Sequence, residues 1–352
     1  MGGDMNERIL ITGGAGFIGI NLASRELDAG KTVTILDDFS RRGSDLNAEW
    51  LGRLYPTSRL RVVRADIRQD RDLLQKEVDR ADVVFHLAAQ VAVTLSVSDP
   101  RHDFEVNALG TFNVLDAARR CATPPVIVYA STNKVYGKMA DVVTEQRGAR
   151  YVYRDMPEGV AESRPLEFYS PYGCSKGTGD QYMMDFDRIY GVPTVTFRQS
   201  CIYGPHQFGI EDQGWLAWFA ICALRQKPVT IFGDGRQVRD TLFVDDLNEA
   251  YELAVRHIDR TRGRAYNIGG GPANTLSLLE LVDMLRDNFQ LPMTLSHADW
   301  RPGDQLVYVS DVRRAGTDFG WVPRTSPREG VERLIRWLRD NRDLLETFAA
   351  AA

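Results

Sequence analysis

The chain is poor in what several protein classes require. It carries four cysteines in 352 residues, Cys121, Cys174, Cys201 and Cys222, with no CxxC pair and no zinc-ligand spacing. That argues against a disulfide scaffold and predicts reduced thiols in a cytoplasmic protein. An excess of one charge is also missing: 43 Lys and Arg against 48 Asp and Glu leave −5, no electrostatic footprint for nucleic acid. The longest apolar run, "WLAWFAICAL" (215–224), is too short to span a bilayer and reads as a buried helix, so no membrane partner is expected. The opening "MGGDMNERILIT" has no apolar stretch ahead of its first strand, and Asn6 stands where a myristoylation signal needs Ser or Thr. No signal peptide or lipid anchor is therefore expected. What is left is an ordinary soluble composition, 43% hydrophobic and 26% charged, long enough for one large α/β unit or two joined lobes.

What is present is rhythm. Short β-rich apolar runs at 8–12, 32–37, 60–66, 83–88, 126–131 and 194–199 alternate with longer helical patterns such as 17–29 and 102–120. Near-continuous apolar strands separated by helices predict a doubly wound, mostly parallel Rossmann sheet covered on both faces. Beyond residue 200 the rhythm gives way to loops rich in Gly, Pro and charge, between helices expected at 277–289 and 328–348. This predicts a dinucleotide-binding domain over 1–200 and a smaller α/β substrate lobe over 201–352, with "AYNIGGG" (265–271) returning one strand to the main sheet.

"ILITGGAGFIGINLA" supplies Gly13, Gly16 and Gly19 between a strand and a helix, with Phe17 and Ile18 opening that helix. Gly13 permits the tight turn, Gly16 lets backbone N–H groups approach a pyrophosphate, and Gly19 allows close helix–strand packing. The second strand ends "ILDDFSRRG"; Asp37, with Asp38 behind it, is placed to accept from ribose hydroxyls, which favours NAD. Arg41 and Arg42 are the counter-signal for a 2′-phosphate. Asp66 and Ile67 follow the third strand toward the adenine. The fourth strand runs into "HLAAQ", where Leu87, Ala88, Ala89 and Gln90 pass the cofactor. His86 reads as a satisfied core histidine. Asn107 reads as a helix distortion or water anchor near the site.

"SPYGCSKG" places Tyr172 and Lys176 four apart at the start of a helix, one turn apart on one face. A free phenol with pKa about 10 is a poor base at neutral pH, and a neighbouring ammonium favours its ionised form. Tyr172 can then take a hydroxyl proton as hydride leaves the same carbon. Thr132, or Ser131, at the end of "VIVYAST" is placed to hold the reacting oxygen. Arg239 and Arg301 match a substrate diphosphate, since guanidinium groups bind phosphate oxygens in pairs.

The set Gly13, Gly16, Gly19, Thr132, Tyr172 and Lys176 resembles the extended short-chain dehydrogenase/reductase superfamily of nucleotide-sugar epimerases and dehydratases, over about residues 7–340. "RQVRDTLFVDDL" (236–247) and "RPGDQ" (301–305) fall in the order that the resemblance implies. The sugar 4,6-dehydratases of that superfamily carry an Asp-Glu pair after the threonine, to eliminate water. Here those positions are Asn133 and Lys134, and an amide cannot supply the acid. "STNKVYG", "SPYGCSKG" and "EDQGWLAWF" (211–219) most resemble the CDP-paratose (CDP-tyvelose) 2-epimerases. That resemblance implies NAD-dependent oxidation of a CDP-sugar at C2, a transient 2-ketone, and return of hydride to the other face. It places Ser131, Asn133, Lys134, Gln199 and Ser200 about the sugar, with Gln199 standing where histidine follows the strand-six arginine in those enzymes. It also implies a homodimer or homotetramer built on helices 102–120 and 172–190. A nucleotide-sugar 4-epimerase would use the same Thr, Tyr and Lys. A non-catalytic NAD-binding module would be expected to lack or misplace one of them, and all three are present.

Overall fold

Seven apolar runs become seven parallel strands. In the computed structural model, which describes residues 7–301 and 304–350, they are β1 (Arg8–Thr12), β2 (Thr32–Asp37), β3 (Leu60–Arg64), β4 (Val83–His86), β5 (Val126–Thr132), β6 (Thr194–Gln199) and β7 (Arg264–Ile268). Their order across the sheet is β3-β2-β1-β4-β5-β6-β7, with every pairing parallel. Both faces are covered, which is why β4 and β6 are buried at every position and read as unbroken apolar runs. The strand order reverses between β1 and β4, and the carboxyl edge at such a reversal is the place where open α/β sheets hold ligands. Thr132 at the end of β5 and Gln199 at the end of β6 reach the same edge.

One sheet face packs on the helices Phe17–Asp28 and Val244–Arg256 through Ile11, Ile20, Val33, Leu247 and Tyr251, all fully buried. The other packs on Gly110–Arg119 and Pro171–Tyr190 through Val84, Val114, Ile127 and Met183. At about 1.5–3 kcal/mol for each large apolar side chain removed from water, these two layers supply most of the drive to fold.

Val238–Phe243 centres a second sheet, antiparallel to Thr275–Ser277 and parallel to Val307–Tyr308 and Cys201–Tyr203. A hairpin not foreseen from the sequence, Thr144–Arg147 with Arg150–Tyr153, reaches this sheet from the segment after β5. Tyr153 donates its hydroxyl to the Val307 carbonyl at 2.9 Å, and Arg150 grips Glu280 through two bonds of 2.6 Å. The helix Trp215–Leu224 is buried, as its apolar run predicts.

Two expected helices are broken. The 102–120 segment is Pro100–Phe104, a π-helical turn Glu105–Leu109, and Gly110–Arg119. The distortion expected at Asn107 is therefore present. The 328–348 segment divides into Pro327–Asp340 and Arg342–Ala350, because Asn341 leaves helical geometry at φ −118°, ψ 39° and its side-chain amide donates to the Trp337 carbonyl. Pro302 and Gly303 of the 301–305 motif, and Asn6, lie outside the described residues. Among the described residues no helix is long and apolar enough to cross a membrane.

Candidate active site

The turn after β1 lies directly on the loop after β4. Gly13 adopts φ +68°, and a Cβ there would sit 2.6 Å from the Ala88 backbone nitrogen, so only glycine fits. Gly16 precedes the helix Phe17–Asp28 in extended geometry, and no side chain caps that helix. A Cβ on Gly16 would meet only the Gly13 carbonyl, at 3.2 Å, which leaves the approach to the helix N-terminus open to a pyrophosphate. Asp37 closes β2 with one carboxylate oxygen accepting from Ala15 N (3.0 Å) and the other from Phe39 N (2.9 Å). Burial raises its pKa, and these two N–H groups oppose the rise. Each oxygen keeps a lone pair for a ribose hydroxyl.

The neighbouring expectations resolve unevenly. Asp38 is exposed and accepts from the backbone and hydroxyl of Ser40. Arg42 lies over the Phe348 ring at 4.1 Å, so one of the two counter-signal arginines is engaged by the C-terminal helix. Partial burial works against the Asp66 carboxylate, yet the Arg68 side chain and backbone hold its pKa below the usual value. Ile67 turns into the core against Gly110.

Leu87, Ala88 and Ala89 form the half-buried lip of the crevice, with Leu87 N donating to the Thr12 carbonyl at 3.0 Å. Gln90 and Asn107 hold that lip from behind. Asn107 accepts from Gln90 N and donates to Gln90 O, both at 2.9 Å, and donates to Asp103 and Ser175. The Gln90 amide donates to Asp103 at 2.7 Å. The π-helical turn presents Asn107 to this network, and both amides are engaged by protein groups. His86 is neutral core: its ring nitrogens share hydrogen bonds with Thr12 (2.7 Å) and Thr111 (2.9 Å), and burial, with Lys176 nearby, pushes its pKa down to about 3.

The reactive set converges beyond the lip. Ser170 caps the helix Pro171–Tyr190, accepting from Gly173 N at 3.0 Å, with Pro171 at its first position. Tyr172 and Lys176 follow on its buried face, 8% and 2% exposed. Burial pushes the Tyr172 phenol up to about 12 against the opposing hydroxyl of Thr132, with Asp103 adding to the rise. Burial also pulls Lys176 down to about 7 while Asp103 and Asp180 pull the other way. Its ammonium stands 4.3 Å over the Tyr129 ring. The Thr132 hydroxyl accepts from Lys134 N at 3.2 Å and faces Asn133 Oδ1 at 3.3 Å. Ser131, the other candidate hydroxyl, lines the same cleft as Thr132 and donates to Asp180 at 2.9 Å.

Phe17, Ile18, Thr132, Asn133 and Tyr172 line one cleft together with Gln199, Ser200 and Trp215. The Gln199 amide donates to the buried Tyr251 hydroxyl, and Ser200 to Asp240. Arg239 and Arg301 meet acids from neighbouring loops, Asp304 at 2.5 Å and Asp212 at 3.1 Å. Lys134 reaches Gln305 Oε1 at 3.4 Å.

Sequence reasoning missed the charges beneath the site. Asp180 pairs with Arg198 through bonds of 2.9 and 2.8 Å, and Arg198 also donates to the Tyr136 hydroxyl at 3.1 Å. A signal was available, because Asp180 lies four residues past Lys176 and Asp103 four before Asn107, each on the same helix face.

Residues 9–269 match the model of the NAD dependent epimerase/dehydratase family. The chain belongs to that family. It is an NAD-dependent enzyme, and the cradle fits the cofactor: an open glycine turn, an uncapped helix and a carboxylate at the end of β2. The chain is 42% identical to a CDP-paratose 2-epimerase from Salmonella typhi over 338 residues, 94% of this chain and 98% of that one. It is 30% identical to a putative UDP-glucose 4-epimerase from Methanocaldococcus jannaschii, over 95% of this chain and 99% of the relative. Among solved structures, a dTDP-glucose 4,6-dehydratase from Streptomyces venezuelae with NAD bound superposes with TM-score 0.80 at 30% identity, covering 97% and 99% of the two chains.

Proposed function

We propose that this enzyme epimerises a CDP-activated deoxyhexose at C2 through a transient 2-keto sugar. The observation that carries the reading is the 42% identity to a CDP-paratose 2-epimerase along nearly the whole of both chains. The loop after Thr132 is consistent with it: Asn133 is an amide and cannot supply the acid for a dehydration, although dehydratases are among the relatives. The other relatives include 4-epimerases, which makes C4 the competing position.

NAD held by Gly13, Gly16 and Asp37 would supply the acceptor and donor of the hydride exchanged with the sugar carbon. Tyr172 accepts the hydroxyl proton as the hydride leaves and gives it back on return. Ionising a phenol of pKa about 12 at pH 7 costs roughly 7 kcal/mol. Lys176, one turn along, and the Thr132 hydroxyl are the groups of this chain that offset the cost, Lys176 by its charge and Thr132 by donating to the oxygen. Thr132 also orients the reacting oxygen toward Tyr172. Asn133 and the cleft wall at Gln199 and Ser200 contact the sugar, while Arg239 and Arg301 hold the diphosphate. The exposed apolar side chains on 102–120 and 172–190, among them Phe104, Leu109, Ile189 and Tyr190, suit a helical interface between copies of a cytoplasmic homodimer or homotetramer.

Proton NMR with CDP-paratose in D₂O, UDP-glucose present as competitor, tests the reading. Inversion at C2 without deuterium entering the sugar is expected. Conversion of UDP-glucose alone overturns it in favour of a 4-epimerase.

A further inference from the structure

Lys134 is used by no step above, and its position is unusual. It follows Thr132 by two residues on the short 3₁₀ turn Asn133–Tyr136, whose backbone is docked at both ends. Its N–H donates to the Thr132 hydroxyl, and a Cβ on Gly173, next to Tyr172, would lie 3.2 Å from the Lys134 carbonyl. The turn is thus fixed to both members of the reactive pair. At the far end of the same side chain, the ammonium reaches Gln305 Oε1 at 3.4 Å, and the Gln305 amide is itself fixed by donating to the Gly137 carbonyl at 2.7 Å.

The charged and titratable groups whose fields act on this ammonium are the Arg239 guanidinium, the Asp304 carboxylate and Cys201, which also lines the cleft. Asp304 already pairs with Arg239 at 2.5 Å. That carboxylate is thus engaged by the guanidinium, and among the described residues the ammonium has one long bond, to a neutral amide. It is crowded by protein yet only partly buried, and its neighbours Thr132 and Asn133 line the cleft. Charge left under-compensated in such a place calls for an anion from outside.

We propose that Lys134 binds the β-phosphate of the nucleotide sugar and thereby sets which sugar carbon faces Tyr172. The inference rests on the C2 reading above. The β-phosphate is esterified to C1, so C2 is the neighbouring carbon while C4 lies across the ring. An enzyme that oxidises C2 must hold the phosphate close beside its reactive pair, and one that oxidises C4 must hold it a ring's width away. Here a cation two residues from Thr132 extends toward Arg239, spanning the short gap between reacting oxygen and diphosphate. Lys134 is in this account a specificity-determining residue that draws the phosphate inward; Arg239 secures it from the other side.

The test compares CDP with CMP, which lacks the β-phosphate, on the NAD-containing protein by calorimetry. Lys134→Met is expected to weaken CDP about 10- to 100-fold, the range for loss of one charge-assisted phosphate contact, and to change CMP less than about 2-fold. It is also expected to suppress turnover at C2. If CDP and CMP weaken together, or neither does, the ammonium does not bind the β-phosphate and the proposal is overturned. Should the methionine variant fail to fold, Lys134→Arg supplies the answer: retained CDP-over-CMP preference with lower C2 turnover supports the proposal, and unchanged turnover overturns it. Wild-type conversion at C4 alone defeats the C2 reading whatever the variants do. C2 conversion with a CDP-to-CMP ratio unmoved by Lys134→Met defeats only the role of Lys134.

Discussion

The two ends of the cleft handle charge in opposite ways. At the reacting end, Lys176 stands near Asp103 and Asp180, carboxylates that are 1% and 0% exposed and fixed by Gln90, Asn107, Ser131 and Arg198. At the end proposed to hold the nucleotide, Arg239 and Arg301 are paired with Asp304 and Asp212, which ride on loops, 22% and 50% exposed. Counter-charges at the first end are part of the fold, held before any substrate arrives. Those at the second end can be exchanged for a ligand's. The first arrangement suits a group that must keep one geometry through proton transfer, and the second suits a group that must trade partners on binding.

The contrast is broken most severely at the phenol. Tyr172→Phe removes the proton acceptor without altering the helix or its cap, so turnover is expected to fall by about 10²–10⁴-fold. Nicotinamide cofactor released on denaturing the variant should match wild type. Retained turnover would take the base role away from Tyr172.

Next in size is the fixed pair beneath it. Arg198 and Asp180 are 5% and 0% exposed as side chains, so Asp180→Asn leaves a buried guanidinium without its charge partner. A loss of about 3–5 kcal/mol in denaturant unfolding is expected. Arg301→Gln, at the exchangeable end, is expected to stay within about 1 kcal/mol of wild type in the same assay. Equal losses would erase the distinction between the two ends.

The buried histidines give a third, pH-dependent measure. Burial lowers His86 to about 3 and His206 to about 4, well below the ordinary value of 6.5. The unfolded chain therefore binds protons that the folded chain refuses, and stability is lost as pH falls from 6.5 toward 4. By pH 5 the loss is about 2 kcal/mol per histidine. His206→Asn is expected to remove about half of this dependence in urea unfolding at pH 7 and pH 5, and its backbone at φ +63° is one asparagine tolerates. An unchanged slope would mean that His206 takes up its proton in the folded state.

The same division explains what could be read from the sequence. Strands of the main sheet were legible because covering both faces forces unbroken apolar runs, and the glycine turn because backbone contact at Gly13 admits no other residue. Tyr172 and Lys176 were legible because one helical turn fixes their relation. The hairpin at 144–153 was not, since its strands are short and part-exposed, the first is polar, and distant partners such as Glu280 and Val307 stabilise it. Nor was the partner of Ser131, since Asp180 lies 49 residues further along the chain. The pairing of Arg239 and Arg301 with loop acids was equally hidden, because it joins segments 65 and 89 residues apart that carry no periodic signal.

That last feature supplies the smallest effect and the finest test of the comparison. If Asp212 holds Arg301 only until a diphosphate arrives, it competes with the ligand for the same guanidinium. An exposed pair of this kind contributes up to about 1 kcal/mol, so Asp212→Asn is expected to tighten CDP binding by roughly two- to fivefold. Its effect should shrink as salt rises, because screening already weakens the pair in wild type. Weaker binding in the variant would mean that Asp212 contacts the ligand or holds Arg301 in the geometry that binds it. The nucleotide end would then be as preorganised as the reacting end, and the difference between them would lie in exposure alone.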